Sequence, residues 1–482
     1  MKNITVLRSL IACAALGAVH YAHTIELGSK SLQTNKTFLA ARPLGQNLHH
    51  ETVGFAELLD SNTYDSFGGD MQTTYFYSRS TNMKELGKYF GVDGKNELLA
   101  HNAANTDINL GSIIYDQNTA YLAENTININ PTQTVHGTRL QYQQNLDGFF
   151  NGLWMRIKLP FVKVVNDMHL DVSGSNVANR QDIVNYFAGE LKAINTGTAN
   201  ARVPLANALV QASRSATGFA DLGLMLGYKV FDRERFTIDV NLAATLPTGN
   251  VATGKYLWEP VTGNGGHIEL GLGVSGIAKI WQGRNFAMNF TAAVDYRYGF
   301  QATEQRTFGL KNTTWGQYRL GTDKAVGQAL NSIQTTPVAN FTTLKAYVTP
   351  GSMLDCLAGF TYNRGNLALD LGYNVFYKQG VSVSLRDTFK DGVYRQITAL
   401  TLNLASGTAL ATGNVTELPE SMLDTNSGSA PAITHTVYGG VSYMFNKMHF
   451  PMQIGIGGHY ETARTNAAVE NWGVNVKTGF SF

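Results

Sequence analysis

The 482-residue chain has only two cysteines, Cys13 and Cys356. If Cys13 leaves with a leader, Cys356 is alone and an intramolecular disulfide is excluded. No stretch contains eighteen or so consecutive apolar residues, so no helical membrane anchor is expected. Charged residues are sparse at 15%, and 37 basic nearly balance 35 acidic. Nothing in that balance suggests a nucleic-acid partner. Prolines are few, 11 against 49 glycines, a mixture that suits many turns and close packing rather than disorder.

Residues 1–23 have the layout of a secretory signal: Lys2 and Arg8, an apolar run from Leu10 to Val19, then small residues. Cleavage is expected between Gly17 and His23. The run Leu10-Ile11-Ala12-Cys13 resembles a lipidation motif, but the apolar core continues past Cys13, which favours an ordinary leader. With Lys2 and Arg8 removed from the 37 basic residues, 35 face 35 acidic ones and the formal net charge is zero.

What is present in quantity is period-two alternation. Between Ala220 and Val230 the residues Ala220, Leu222, Leu224, Leu226, Tyr228 and Val230 are apolar, and Asp221, Gly223, Met225, Gly227 and Lys229 intervene. After Asp232-Arg233-Glu234-Arg235 the pattern resumes, with Phe236, Ile238, Val240, Leu242, Ala244 and Leu246 on one parity. Two such runs around a tight polar break predict an antiparallel hairpin. Alternation alone does not separate a soluble sandwich from a membrane barrel. Strand length does: about 9–11 residues suits a tilted membrane crossing, against ~5–6 for a soluble sheet. Aromatic residues at strand ends point the same way.

The same make of hairpin recurs along the chain. Strands are expected at Met71–Arg79, Val135–Gln144, Gly152–Val162, Ile268–Lys279, Phe286–Tyr298, Leu354–Tyr362, Leu367–Lys378, Ile433–Phe445, Met452–Tyr460 and up to Phe482. Short turns alternate with long loops, the longest at Ser80–Thr134, Asn166–Ala216 and Gly380–Pro431. Helices are expected at Met83–Phe90 and Asp182–Ile194, where Ile183, Phe187, Ala188 and Leu191 have helical spacing. Leu110–Asp116 reads as a short strand. These signals give about twelve strands, or fourteen if Gln301–Val348 hides a further pair including Phe341–Val348. Residues 24–70 show no sustained period and suit a periplasmic lead-in or a plug inside the lumen. The expected fold is all-β, an up-and-down antiparallel transmembrane barrel over 71–482 with long extracellular loops carrying short helices.

The final strand, Trp472 to Phe482, places Trp472, Val474, Val476, Phe480 and Phe482 on one parity with Thr478 between. It resembles the C-terminal strand of Gram-negative outer-membrane β-barrels. That resemblance implies an outer-membrane location, lipid as a partner, and capture of the strand ending in Phe482 by the barrel-assembly machinery. Asp221–Asn250 is also similar to solute-transporter barrels of that broad group. A mean hydropathy of −0.12 fits an apolar outer face averaged with a polar interior.

By parity the lumen carries Arg139, Arg156, Lys158, Lys229, Lys279, Arg297, Lys378 and Lys477, against Asp221, Asp239, Glu269, Asp295, Asp370 and Glu461, with Asn241 between. Eight cations and six carboxylates give a mixed interior without a strong ion preference. Pairing about Leu146–Gly148 is expected to set Arg139 near Arg156, a basic patch suited to anionic or amphoteric solutes. Aromatic girdles are expected at both interfaces. Near the short turns they comprise Tyr228, Phe231, Phe236, Trp281, Phe286, Phe360, Tyr362, Tyr443, Phe445, Phe450, Phe480 and Phe482; near the loops, Tyr296, Tyr298, Phe300, Tyr373, Tyr377, Tyr460 and Trp472. Cys356 shares parity with Leu354, Ala358 and Phe360 and is read as facing lipid.

Gly271-x-Gly273-x-x-Gly276 with Asp295 matches a dinucleotide fingerprint, but that motif needs a helix after its glycines, and here an alternating strand continues. His267 with Glu269, and His459 with Glu461, could form acid–base pairs at the rim. No serine accompanies either in a triad pattern, so no enzyme, cofactor or metal is expected. The expected function is passive passage of small solutes through a polar lumen. The alternatives are a gated barrel for hydrophobic substrates and a surface adhesin or structural protein with a closed barrel.

Overall fold

A computed structural model describes residues 32–39, 42–52, 68–101, 107–113, 124–175, 177–190, 203–210, 212–323, 335–397 and 415–482. The leader 1–23 lies outside the described residues. Twelve strands form the wall: β1 Gly69–Ser80, β2 Thr132–Asn145, β3 Leu153–Asp167, β4 Leu222–Arg233, β5 Phe236–Leu246 and β6 Glu269–Gln282, then β7 Phe286–Gly299, β8 Gly351–Arg364, β9 Leu367–Lys378, β10 Ala432–Phe445, β11 Met452–Ala463 and β12 Asn471–Ser481. Each pairs antiparallel with its sequence neighbours, and β1 closes the cylinder on β12. At the seam Gly69 and Phe482 exchange backbone hydrogen bonds of 2.8 and 2.9 Å. Closure leaves no sheet edge, as hydrocarbon demands of any backbone that crosses it.

The alternation in the sequence is an alternation of environments. In register across five strands, Val240, Val274, Val294, Cys356 and Val375 face outward. Leu272 and Leu242 are each 59% exposed and Leu371 63%, while inward neighbours such as Asp239, Asn374 and Lys477 are buried. A water-soluble sandwich would hide those aliphatic rows. Girdle residues stand outside them: Trp281, Phe360, Tyr443, Phe445, Phe480 and Phe482 at the short-turn end, Tyr296, Tyr298, Tyr373, Tyr460 and Trp472 at the loop end, all exposed. Tyr228, Phe236 and Phe286 are half-buried. This is the architecture of an outer-membrane β-barrel.

Three irregularities modify the wall, one of them Ile280, an extra residue opposite the Met288–Asn289 step beside the β6–β7 turn. Val230 is an extra residue opposite the Ile238–Asp239 step, a bulge beside the β4–β5 turn. β3 changes partner midway: its outer half pairs with a short strand, Arg214–Phe219, and its inner half with β4. Pro160 lies at the change, and its carbonyl accepts from the Ala220 N–H at 2.9 Å. Proline has no amide to offer the ladder, so the partner strand breaks at Ala220–Asp221.

The loop end differs most from the sequence expectation. Loops pair with one another in small sheets, such as Ala302–Thr307 with Thr343–Thr349 and Ser382–Leu385. The strand expected at Phe341–Val348 therefore exists but lies in this cap, and the wall keeps twelve strands. Leu110–Ile113 is a helical turn rather than a strand; residues 114–116 lie outside the described set. The helix Met83–Phe90 is present. The helix expected at Asp182–Ile194 runs Val177–Phe187, with residues 191–194 not among those described. Leu86, Phe90, Ile183, Phe187, Trp315 and Tyr318 belong to one apolar cluster over the outer mouth.

Val274 lies near the middle of the outward band. Val274→Arg is expected to destabilise the protein folded in lipid vesicles by about 2–4 kcal/mol, measured by denaturant titration. A change within about 0.5 kcal/mol, typical of a surface facing water, would contradict a lipid-facing wall.

Candidate functional site: the occupied lumen

Residues 42–52 lie inside the cylinder. Just before them, the chain is tied to the cap: the Thr37 N–H donates to the Ser427 carbonyl at 2.9 Å, and the Gln33 N–H to Asn466 Oδ1 at 2.7 Å. It then descends along the inner wall. Gly45 passes closest, at φ +70°, where an added Cβ would stand 2.6 Å from Pro160 Cβ. Backbone conformation and space both require glycine there.

Arg42, Gln46 and Glu51 each meet complementary groups on the wall. Arg42 donates to Asn374 Oδ1 at 2.8 Å and lies 3.8 Å from Asp355 and 3.6 Å from Glu461. Its guanidinium also lies over the Phe376 ring at 4.4 Å. Gln46 Nε2 donates to the Asp221 carbonyl, and its Oε1 accepts from Arg297. Leu48 packs among Ala293, Leu357 and Tyr438. The short helix His49–Thr52 then presents two rings and a carboxylate.

Glu51 is the electrostatic centre. Its carboxylate lies 2.5 Å from Lys158, 3.3 Å from Arg156 and 3.7 Å from Arg139. Its carbonyl accepts from Lys477 Nζ at 2.8 Å. Arg139, Lys158 and Lys477 are almost fully buried. Cations this close repel one another, and burial removes the water that would screen them. One carboxylate among them offsets both effects.

The register corrects one sequence expectation. Arg139 lies opposite Pro160, four residues from Arg156, while Lys158 and Arg156 face Gln141 and Gln143. The turn is longer than Leu146–Gly148 because Asp147 accepts from the Gly152 N–H, with Gly152 at φ +87°. A carboxylate from a distant segment, rather than direct pairing, brings the three cations to a common centre.

The remaining inward residues are spread over the lumen. Asp239 accepts from Trp154 Nε1 at 3.1 Å, and Asp370 from Thr361 at 2.7 Å. Asp221 accepts from the Asn264 N–H at 2.7 Å, and Glu269 from Asn264 Nδ2 at 2.9 Å. Asp295 lies 3.8 Å from Arg297, and Asn241 is buried beside Gly273. Lys378 borders a cavity of about 90 Å³ beneath the cap, with Leu39, Trp258, Glu269 and Glu304. Lys229 and Lys279 stand at the short-turn end, where Lys279 is exposed.

Neither rim histidine is arranged as an acid–base pair with the carboxylate two residues on. His267 engages the Phe300 carbonyl at 2.8 Å and Glu304 at 2.7 Å. Burial raises the Glu304 carboxyl, but Arg306 and His267 outweigh it and hold it below its ordinary range. His459 Nε2 meets Asn471 Oδ1 at 2.9 Å. Gly271 and Gly273 sit mid-strand, where a Cβ would meet β7 backbone or Asn241 within 2.5 Å; they allow close packing inside the wall.

No family model matches the chain, and no curated protein does. Among solved structures, an outer-membrane channel from Pseudomonas putida F1 is 11% identical, matched over 88% of this chain and 98% of its own, with TM-score 0.39. A Pseudomonas aeruginosa FadL homologue is 8% identical over 94% and 99%, with TM-score 0.31. The NanC porin is 8% identical over 72% and 93%, with TM-score 0.27. The barrel is defined by its own strand pairing, closed between β1 and β12.

Removing the central charge loosens the segment. Glu51→Gln keeps the shape and removes the one charge in ion-pair range of all three cations. Amide hydrogen exchange at residues 46–51 is expected to rise about tenfold or more while the wall is unchanged. Identical exchange in both proteins would contradict the role given to Glu51.

Proposed function

We propose that the protein is a channel of the Gram-negative outer membrane for small polar solutes bearing an acidic group, held shut at rest by residues 42–52. One observation carries the reading. Glu51 sits among Arg139, Arg156 and Lys158 in the way an anionic solute would, and a carboxylate arriving from outside can compete for the same donors. Arginine and lysine suit this role because carboxylate recognition by charge-assisted hydrogen bonds is strong and directional. The wall supplies a wet, fixed-charge path, and the segment closes it.

A site for hydrophobic substrates is less well supported. The cavity beneath the cap sets Leu39 and Trp258 beside Glu269, Glu304 and Lys378, and charged groups there would have to be desolvated by an apolar guest. The large cap over the mouth keeps a surface-binding role in view, and conductance separates it from a channel.

In planar bilayers the wild-type protein is expected to open rarely. Deleting residues 42–52 should give long-lived openings that favour anions over cations. Glu51→Arg, which places a fourth cation in the cluster and spares the rest of the chain, should raise open probability about tenfold for each 1.4 kcal/mol of lost docking. Arg156→Gln with Lys158→Gln in the deleted background should reduce the anion preference. A correctly assembled barrel that stays silent in both variants would overturn the channel reading and leave a closed surface protein.

A further inference from the structure

The luminal segment carries a second constellation a few residues from the cation cluster. His49 and His50, from the short helix, meet His459 from β11, and all three are buried. Ring centroids are 4.5 Å apart for His49–His50, 4.6 Å for His49–His459 and 5.5 Å for His50–His459. One ring nitrogen from each can be chosen so that all lie within 4.8 Å of one another.

We propose that these three histidines form a binding site for a borderline divalent transition-metal ion, of which zinc is the type, and that the bound ion staples the luminal segment to the wall. The tautomer of His459 is the first argument. Asn471 uses its amide nitrogen to donate to Glu461 at 2.9 Å, so its carbonyl oxygen faces His459 Nε2 at 2.9 Å. Nε2 therefore carries the hydrogen, and Nδ1 keeps its lone pair. That Nδ1 is buried and makes no hydrogen bond, and neither ring nitrogen of His50 makes one. Buried imidazole nitrogens without partners are unfavourable unless something accepts their lone pairs. A metal ion does so, and a hydrogen-bonded carbonyl behind a ligating histidine is the usual second support of such a site.

The donor set fixes the class of ion. Three neutral imidazoles suit zinc, copper or nickel rather than magnesium or calcium, which take oxygen ligands. The described thiol, Cys356, faces lipid and contributes nothing. Of the positive groups that face these rings, Arg42 lies near Asp355 and Glu461 and Arg139 near Glu51, while Lys477 donates to the Glu51 carbonyl. A cavity of about 70 Å³ adjoins His50 and His459 and is also lined by Glu461 and Asn471. It leaves room for a water or solute atom as fourth ligand, the open position that three-histidine zinc sites keep.

The binding claim stands on its own, and only its effect on opening rests on the channel reading. Zinc is titrated into the detergent-solubilised full chain against a chromophoric chelator, with folding checked by heat-modifiable electrophoretic mobility. One zinc per chain is expected. Binding should be lost in both His50→Ala and His459→Ala, and weakened about 10–100-fold in Asn471→Ala. His169→Ala, at an exposed loop histidine, should leave it unchanged. Cobalt in place of zinc should give visible d–d bands that vanish in His459→Ala. No stoichiometric binding, or wild-type affinity retained in folded His50→Ala and His459→Ala proteins, would overturn the site. Zinc that binds as described yet leaves conductance unaltered would overturn the staple and keep the site.

Discussion

Three cations directed to one level of a narrow lumen need a counter-charge, and that requirement organises the interior of this protein. Arg139, Arg156 and Lys158 project from two adjacent strands, β2 and β3, and no carboxylate of those strands reaches them among the described contacts. Glu51 does. At an effective dielectric near 20, two unit charges 4 Å apart interact with about 4 kcal/mol, so the sign of the fourth partner decides whether the cluster holds or repels. To deliver that carboxylate the chain comes from the outer loops past Pro160, where Gly45 alone fits, and sets Arg42 and Gln46 against wall residues on the way.

The wall makes this interior possible. Outward rows of valine and leucine satisfy the hydrocarbon, which leaves every second residue free to be polar. The cylinder closes on itself because β1 meets β12 along the length of both strands. Where pairing is interrupted, at Pro160 and Ala220–Asp221, the consequence lies inside: Asp221 becomes an acceptor for loop amides, and its carbonyl receives Gln46. The irregular part of the wall is thus also where the luminal segment and an outer loop are held.

Much of the barrel was legible in the sequence because a period of two is a local signal. The hairpin from Leu222 to Leu246, the outward parity of Val474 and Val476, and the aromatic strand ends all follow from residues read side by side. The loop-end cap was less legible. Its strands are two to seven residues long and pair across large separations, as Gly309–Leu310 does with Leu423–Asp424, so no periodic stretch announces them. The luminal site was the least legible part. Residues 42–52 have no period, and their meaning lies in partners hundreds of positions away, such as Lys477 for Glu51 and His459 for His49. The clue available was compositional: His49-His50-Glu51 sets three titratable groups together in an otherwise aperiodic stretch. Parity sets the charges of the strands on one face, but their grouping around a carboxylate from elsewhere depends on three-dimensional contact. The four-residue shift of Arg139 from Arg156 depended on one Asp147 turn.

The position of the luminal segment is tested most directly by cross-linking. In a chain with Cys13 and Cys356 replaced by serine, Leu48→Cys and Leu357→Cys place thiols on two residues that pack together inside the cylinder. Mild oxidation of the folded, membrane-inserted protein should close that disulfide readily, and pairing Leu48→Cys instead with Leu371→Cys on the outer face should give none. Failure of the inner pair to form, with the segment's thiol freely labelled by a bulky water-soluble reagent, would contradict an occupied lumen.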